Sequence, residues 1–559
     1  MGTINFFKHY PEGVNHTINA DDYKSVAEFL DKKLSEFSDG IAYINMGKSL
    51  TYKEIDDLSL TFASYLQNLG LKKGDRIAVQ MPNLLQYPVA MFGALRAGLI
   101  IVNTNPLYTP DEMKHQFKDS GVKAIIILSN FAEKLEKIIS ETSIKHVIVT
   151  NIGDMLGGFK GALVNFVVKN IKKMVPKYRL PNAVKFKDVL QKGKSLTFNP
   201  VEINSEDIAF LQYTGGTTGV SKGAMLTNRN MIANMLQIAE WKKPLLKPGE
   251  ETIITALPLY HIFALTVNCF AMVNIGAKNV LITNPRDLKG FIKDLIKYPF
   301  SIIIGVNTLF NSMMNHESFR TVDFSKLKIA VGGGMAVQVA VAEKWKKMTG
   351  CNLVEGYGLT ESSPVLNCNP VVGTIQLGTI GPPLPSTEIS IRDDDGKEVP
   401  VGERGEIWAK GPQIMKGYWQ RPEDTKDVLE DGWLKTGDIG LIQEDGFCKI
   451  VDRKKEMVLV SGFNVFPNEV EGALVHHPKI SEVGVIGVPD EKSGEAVKAF
   501  IIKSDDSLSV DEVKAFAKEH LTGYKRPKYI EFKEELPKSN VGKILRRILK
   551  EEDLKNNTY

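Results

Sequence analysis

Cysteine is scarce: Cys269, Cys351, Cys368 and Cys448 are the only four in 559 residues, with no CxxC pair and no nearby histidine pattern. That spacing argues against a disulfide framework or zinc site and suits a reducing compartment. No charge of one sign dominates. Seventy Lys+Arg against 66 Asp+Glu leaves +4, too little at this length to imply nucleic-acid binding. No run of about 18 apolar residues occurs, so no membrane-spanning helix is expected. The opening MGTINFFKHY has no basic-then-apolar signal pattern, and Phe6 stands where a myristoylation signal wants Ser or Thr. A cytoplasmic location is therefore the expectation.

What is present reads as an ordinary folded chain, 43% hydrophobic and 24% charged. It is too long for one core, so two or more domains are expected. Short β-branched runs alternate with helix-period segments: RIAVQMP, NLLQYPVAMFGALRAG and LIIVNTNP, then AIIILS and HVIVT, later SIIIGVN, KIAVGGG and AVQVAVAEKWKKMTG. In the last segment Val337, Ala340, Val341, Trp345 and Met348 keep helical spacing, and Gly350 is a stop signal. This rhythm predicts an α/β fold with parallel, helix-covered sheets. From about Gly373 to Lys449, short strands and Pro/Gly turns such as GPPLPST and RDDDGKEVPVGERGE predict an antiparallel, barrel-like β segment. The charged run Asp452-Arg453-Lys454-Lys455 marks a boundary. It separates a large N-terminal domain, 1–452, from a small α/β C-terminal domain, 453–559.

One stretch stands apart by charge. Gly157 to Arg179 (GGFKGALVNFVVKNIKKMVPKYR) holds five lysines, one arginine and no acid. Leu163, Phe166, Val167, Ile171 and Met174 can share one helix face. Residues 157–179 are thus a candidate peripheral contact with an anionic membrane surface. The alternative is a core-packed helix with a solvated basic face.

Four motifs carry chemistry. YTGGTTGVSKG, Tyr213 to Gly223, packs four glycines and three threonines before and around Lys222. Glycine lets backbone N–H groups approach an anion, threonine adds donors and lysine adds charge, so the loop suits a polyphosphate. Yet Lys222 lies between Ser221 and Gly223, unlike the lysine of the common phosphate loop. In EGYGLTE, a strand ends at Thr360 and Glu361; the carboxylate could share Mg²⁺ with a substrate phosphate. In GWLKTGD and DRKK, Asp438 suits a ribose diol and Arg453 can donate to the same sugar. In LPKSNVGKILRR, Lys543 follows a Ser-Asn-x-Gly turn, at a loop tip that could reach another domain's site. Each also has a bland reading as a turn, a cap or a solvated basic face.

Taken in this order, the four motifs resemble those of the adenylate-forming enzymes: acyl- and aryl-CoA synthetases, beetle luciferases and peptide-synthetase adenylation domains. DGWLKTGDIGLIQEDGFCKIVDRKK looks like the fatty-acyl-CoA synthetase signature. PLYHIFALTVNC, VSGFNVFPNEVE and LTGYKRPK are similar to the bacterial long-chain fatty acid–CoA ligases of β-oxidation. The resemblance implies ATP, Mg²⁺ and coenzyme A as partners of a long-chain fatty acid, an acyl-AMP intermediate, and release of AMP and pyrophosphate. It assigns Tyr213, Thr214, Gly215, Gly216, Thr217, Thr218, Gly219 and Lys222 to the pyrophosphate clamp, Thr360 to the α-phosphate and Glu361 to the metal. Gly332, Gly333 and Gly334, with Gly356, Tyr357 and Gly358, flank adenine; Asp438 and Arg453 fix the ribose. Lys543 bridges carboxylate and α-phosphate. His261 stands at the carboxylate entrance, and the apolar run Ile262 to Phe270 lines the acyl tunnel. The C-terminal domain is then mobile about a hinge near Lys455, bringing Gly462 to the pantetheine arm. His476 and His477 receive no role, and a homodimer is among the family's expectations.

Alternatives are a medium-chain or aryl-CoA ligase or a fatty acyl-AMP ligase; the last usually carries an insertion after the hinge, for which DRKKEMVLVSGFN has no room. A fatty-acid binding protein on the membrane with a dead core is opposed by Glu361 and Lys543. A phosphate-loop kinase or ATPase is opposed by the residues flanking Lys222.

Overall fold

A computed structural model describes residues 5–214, 221–539 and 542–556. The β-branched runs form strands that cannot face water on either side, and two parallel sheets result. The first runs Val184–Lys185, His146–Thr150, Ala124–Leu128, Arg76–Gln80, Ile100–Asn103, Ile208–Thr214 and Lys222–Thr227, with antiparallel pairing in its last pair alone. The second has eight strands, parallel from Leu353–Gly358 through Ile329–Gly332, Ile302–Gly305, Thr252–Thr255 and Lys278–Leu281 to Ile41–Asn45. Antiparallel hairpins to Val365–Cys368 and Lys48–Thr51 close its two ends. Helix cover on both faces explains why Ala124–Leu128 is wholly buried. The same holds for the helix Gln86–Arg96, every residue of which is buried. One continuous core joins Ile77 and Phe210 of the first sheet to Ile253 and Ile304 of the second.

The segment expected to be barrel-like is a five-stranded antiparallel sheet built on Glu388–Arg392, Gly405–Lys410, Trp433–Ile442 and Cys448–Arg453, with Leu429–Glu430 at one edge. Beyond Lys455 a separate sheet of five strands pairs Ile480–Asp490 with Gly494–Lys503 and has its own apolar core around Val485, Val497 and Val513. All four cysteines are free thiols. Among the described residues no helix is long and apolar enough to cross a membrane.

The basic stretch forms a helix, Gly158–Phe166, running into a π-turn at Val167–Ile171. Its small and amide side chains face the protein. Asn165 accepts from the Gly153 amide at 2.7 Å and donates to Asp154, while Gly161 lies against the Gly153 carbonyl. The apolar residues therefore point outward: Phe159 is 83% exposed, Ile171 64% and Phe166 55%. Leu163 and Met174 share that exposure. The core-packed alternative is not what the chain adopts.

Gly358 shows how tightly the second sheet turns toward Thr360. A Cβ there would lie 1.9 Å from the Pro364 carbonyl oxygen, within the hairpin that carries Glu361. Gly358→Ala should therefore destabilise the fold by an overpacking cost of about 1–3 kcal/mol, read as a lower urea midpoint, whereas unchanged unfolding would show that the hairpin yields freely.

Candidate functional site

A cavity of about 1750 Å³ opens between the two large sheets, the antiparallel sheet and the C-terminal segment. Its wall includes Tyr213, Thr214, Lys222, His261, Gly334, Gly356, Tyr357, Gly358, Thr360, Glu361, Asp438, Arg453 and Lys543. Residues from four motifs up to 330 positions apart thus meet at one place. Gly332 ends a strand beside the cavity and Gly333 follows it, packed against Phe263 and the Gly356 carbonyl. Gly462 lies away from the cavity lining, exposed between the strands Val458–Val460 and Phe463–Val465. Gly215, Gly216, Thr217, Thr218 and Gly219 lie outside the described residues.

The feet of the glycine-rich loop are fixed by cross-strand pairing of Thr214 with Lys222 and Tyr213 with Gly223. The Tyr213 hydroxyl donates to Asp119 at 2.6 Å, and Arg421 donates to the other oxygen of that carboxylate at 3.0 Å. Lys222 forms an ion pair with Asp424 and stands 5.3 Å over the Tyr418 ring. The Tyr418 hydroxyl donates to Glu361 at 2.7 Å. Tyr418 thereby connects the lysine of one motif to the carboxylate of another. Neither Tyr418 nor Asp424 was singled out in the sequence; their stretch, KGYWQRPEDT, carries a signal only in its density of aromatic and acidic residues.

Asp438 is 4% exposed and has both oxygens engaged: Tyr357 donates to Oδ2 at 2.6 Å, and the Arg453 guanidinium lies 3.2 Å from Oδ1. The pairing of strands Trp433–Ile442 and Cys448–Arg453 sets Asp438 directly opposite Arg453. Burial, reinforced by Asp438, holds the Tyr357 hydroxyl far above the usual tyrosine range, so it stays a donor.

The lysine loop reaches this site from the C-terminal segment. Its Gly542 has φ +82°, and a Cβ there would fall 2.5 Å from Thr308 Oγ1 of the large domain. Such close approach in the left-handed region requires glycine. The Ser539 hydroxyl accepts from the Lys543 amide at 3.1 Å. Burial and then the nearby Arg453 guanidinium push the Lys543 amine down to about 8, opposed by Glu456 and Asp438. A free lysine would sit near 10.4.

His261 caps the short turn Ile262–Ala264, its Nδ1 accepting from the Phe263 amide, and burial pushes it down to about 4. It is a neutral imidazole at physiological pH. Of the run expected to line an acyl tunnel, Ile262, Phe263 and Val267 reach the cavity, while Leu265, Cys269 and Phe270 pack into the main core. His477 is a packing residue: its Nδ1 accepts from the Lys479 amide, and its ring meets Phe516 edge-on at 4.9 Å.

The residues fit a magnesium ion shared with substrate. Among the described residues no three His, Cys, Asp or Glu gather as a metal cage. Glu361 lies in the cavity wall with Oε1 taken by Tyr418 and Oε2 left, a donor set that suits an ion drawing its other ligands from phosphate and water.

Comparison with known proteins adds the following. The AMP-binding enzyme profile matches residues 30–419, and that of the AMP-binding enzyme C-terminal domain matches 469–543. The chain is 56% identical over 554 residues to a long-chain-fatty-acid–CoA ligase of Yersinia pestis, covering 99% of each. It is 39% identical to the Bacillus subtilis (strain 168) ligase of the same name, covering 98% of each. The crystal structure of anthranilate CoA ligase AuaEII with anthranoyl-AMP superposes with a TM-score of 0.85 at 25% identity, covering 96% of this chain and 99% of that one.

Removing the Tyr357 hydroxyl (Tyr357→Phe) should lower stability by about 1 kcal/mol, and Asp438→Ala, which also leaves Arg453 unpaired, by about 2 kcal/mol or more. Denaturant melts check the order; equal effects would mean that Arg453 draws nothing from Asp438.

Proposed function

The chain belongs to the AMP-binding enzyme family, and we propose that it converts long-chain fatty acids to acyl-CoA through an acyl-AMP intermediate, with release of AMP and pyrophosphate. The observation that carries this reading is a single cavity holding two kinds of wall: polar groups suited to a nucleotide, and apolar side chains including Ile238, Trp241, Val267 and Leu384. ATP and coenzyme A are its co-substrates, with Mg²⁺ neutralising phosphate charge.

In the first half-reaction the fatty carboxylate attacks the α-phosphorus, and pyrophosphate leaves. Lys222 and the threonine-glycine loop hold the β and γ phosphates, which take over the place of Asp424 on the lysine. Thr360 donates to the α-phosphate. Glu361 would hold the metal. Asp438 keeps lone pairs for the ribose hydroxyls because its two present partners take one each. Lys543 places positive charge where two anions must meet, an electrostatic role rather than a nucleophilic one. His261, neutral, gives the carboxylate a polar neighbour without competing charge. In the second half-reaction the thiol of coenzyme A attacks the acyl carbon and AMP leaves. Lys543 occupies space the thiol needs, so the C-terminal domain turns about Lys455, withdrawing the lysine and presenting the Gly462 face.

Substrate supply gives the outward-facing helix a purpose. Phe159, Leu163, Phe166, Ile171 and Met174 would enter the interfacial layer of an anionic membrane, with Lys169, Lys172, Lys173 and Lys177 against its headgroups.

Four measurements test this. With palmitate, ATP, Mg²⁺ and coenzyme A, the products should be AMP, pyrophosphate and palmitoyl-CoA; ADP and orthophosphate would refute the reading. Lys543→Ala should slow palmitate-dependent pyrophosphate exchange by about 10²–10³. Because the lysine acts protonated, wild-type exchange should decline as pH rises through about 8, and Lys543→Arg should lose that decline. Finally, Phe159→Ser with Phe166→Ser should abolish co-sedimentation with phosphatidylglycerol vesicles while soluble turnover persists; undiminished binding would remove the helix from the contact.

A further inference from the structure

The helix Asn228–Lys242 reaches the cavity with its last turn. Near its start, Asn230 donates to the Ile414 carbonyl, next to Met415, whose amide donates to the Glu361 carbonyl. Its far end, twelve residues on, is about 18 Å away along the axis. There Ile238, Trp241 and Lys242 share one face and line the cavity.

Trp241 and Lys242 make unlike walls. Trp241 is fixed: its Nε1 donates to the Asn369 carbonyl at 3.2 Å, and its ring meets Tyr10 edge-on at 4.8 Å. Lys242 is 4% exposed, and its buried Nζ has no hydrogen-bond partner. Burial pushes the amine down to about 8. An unpaired buried ammonium is costly, and proteins seldom keep one without a use. Placement at a helix C-terminus offsets a small part of that cost.

Behind Lys242 lies a second cavity of about 380 Å³. Lys242 is the residue common to both linings. Leu236, Met272 and Ile275 give the rear cavity apolar walls, and exposed Asn15, Asn19 and Asp22 open it to solvent. Its carboxylates are Asp22, which accepts from Asn19, and Glu240, whose Oε1 accepts from the Asn15 amide and from Lys243 and whose other oxygen is left for a further cation. A four-carbon stem can carry the ammonium from one side to the other.

We propose that Lys242 is a movable partition, and that the cavity behind it is an overflow subsite for the distal end of acyl chains too long for the front chamber. A chain reaching this wall displaces the side chain backward, where Asp22 and Glu240 pair with it, and the chain end follows into the space released. Lys242 is then a specificity-determining residue for chain length. This rests on the acyl-CoA ligase reading given above.

The test compares kcat/KM for docosanoate with that for palmitate, measured by acyl-CoA formation. Lys242→Ala joins the two cavities and should raise the docosanoate-to-palmitate ratio about tenfold. Lys242→Met keeps the bulk but has nothing to pair with the rear carboxylates, so its ratio should stay at or below wild type. Asp22→Asn with Glu240→Gln should lower the ratio while Lys242 is intact, which keeps the idea testable if the alanine variant does not fold. A ratio within twofold of wild type in Lys242→Ala, or equal increases in the alanine and methionine variants, would overturn the partition. Those outcomes leave palmitate turnover as evidence for the ligase. Absence of AMP with any fatty acid in the wild-type enzyme would overturn the ligase reading itself.

Discussion

The placement of the lysine loop depends on one buried cation three residues downstream of it. Arg546 opens the last helix, forms ion pairs with Glu471 at 2.7 Å and with Glu456, and lies 3.6 Å from Asp452. Burial alone would weaken its proton affinity, but the carboxylates outweigh that and raise it. Losing one member would strand the others in a low-dielectric setting, which makes such clusters hard to dismantle piecemeal. Glu456, Asn468 and Glu471 belong to the same C-terminal segment as Arg546. Asp452 lies before the proposed hinge, reached by Arg546 and by the Asn468 amide at 2.7 Å. Most of this cluster thus lies within the C-terminal segment, and Asp452 is its member from before residue 455. Burial pushes the Asp452 carboxyl up to about 6, against the opposing pull of Arg546.

Within the cavity, the charged groups that would serve a nucleotide already have protein partners. Lys222 has Asp424, Asp438 has Tyr357 and Arg453, and Glu361 has Tyr418. These contacts fix rotamers in advance, which lowers the ordering cost of binding. They differ in how a ligand would use them. Asp438 can keep its partners while accepting more, whereas Lys222 must exchange a carboxylate for phosphate.

Much of this was legible in the sequence, for identifiable reasons. Apolar β-branched runs such as AIIIL leave few options but strands buried on both faces, and the glycine, hydroxyl and acid motifs are contiguous enough to read directly. Tyr418, Asp424 and the Arg546 cluster were not legible, because their meaning comes from partners dozens to hundreds of residues away. Lys543 illustrates the limit best. Its position could be read from its turn, but its proton affinity could not, since burial and Arg453 set it together. Helical periodicity likewise revealed an apolar face over 157–179 without saying which way it points. Asn165 and Gly161 decide that, by docking the opposite face on Gly153.

Docked on a bilayer as proposed, that outward face would change what concentration means for such an enzyme. Long-chain fatty acids partition into lipid, so a protein docked on a bilayer through the proposed face of Phe159 and Phe166 would meet them in a two-dimensional phase. Saturation would then follow the mole fraction of fatty acid in the bilayer, and diluting the lipid film, with the total held constant, would look like inhibition.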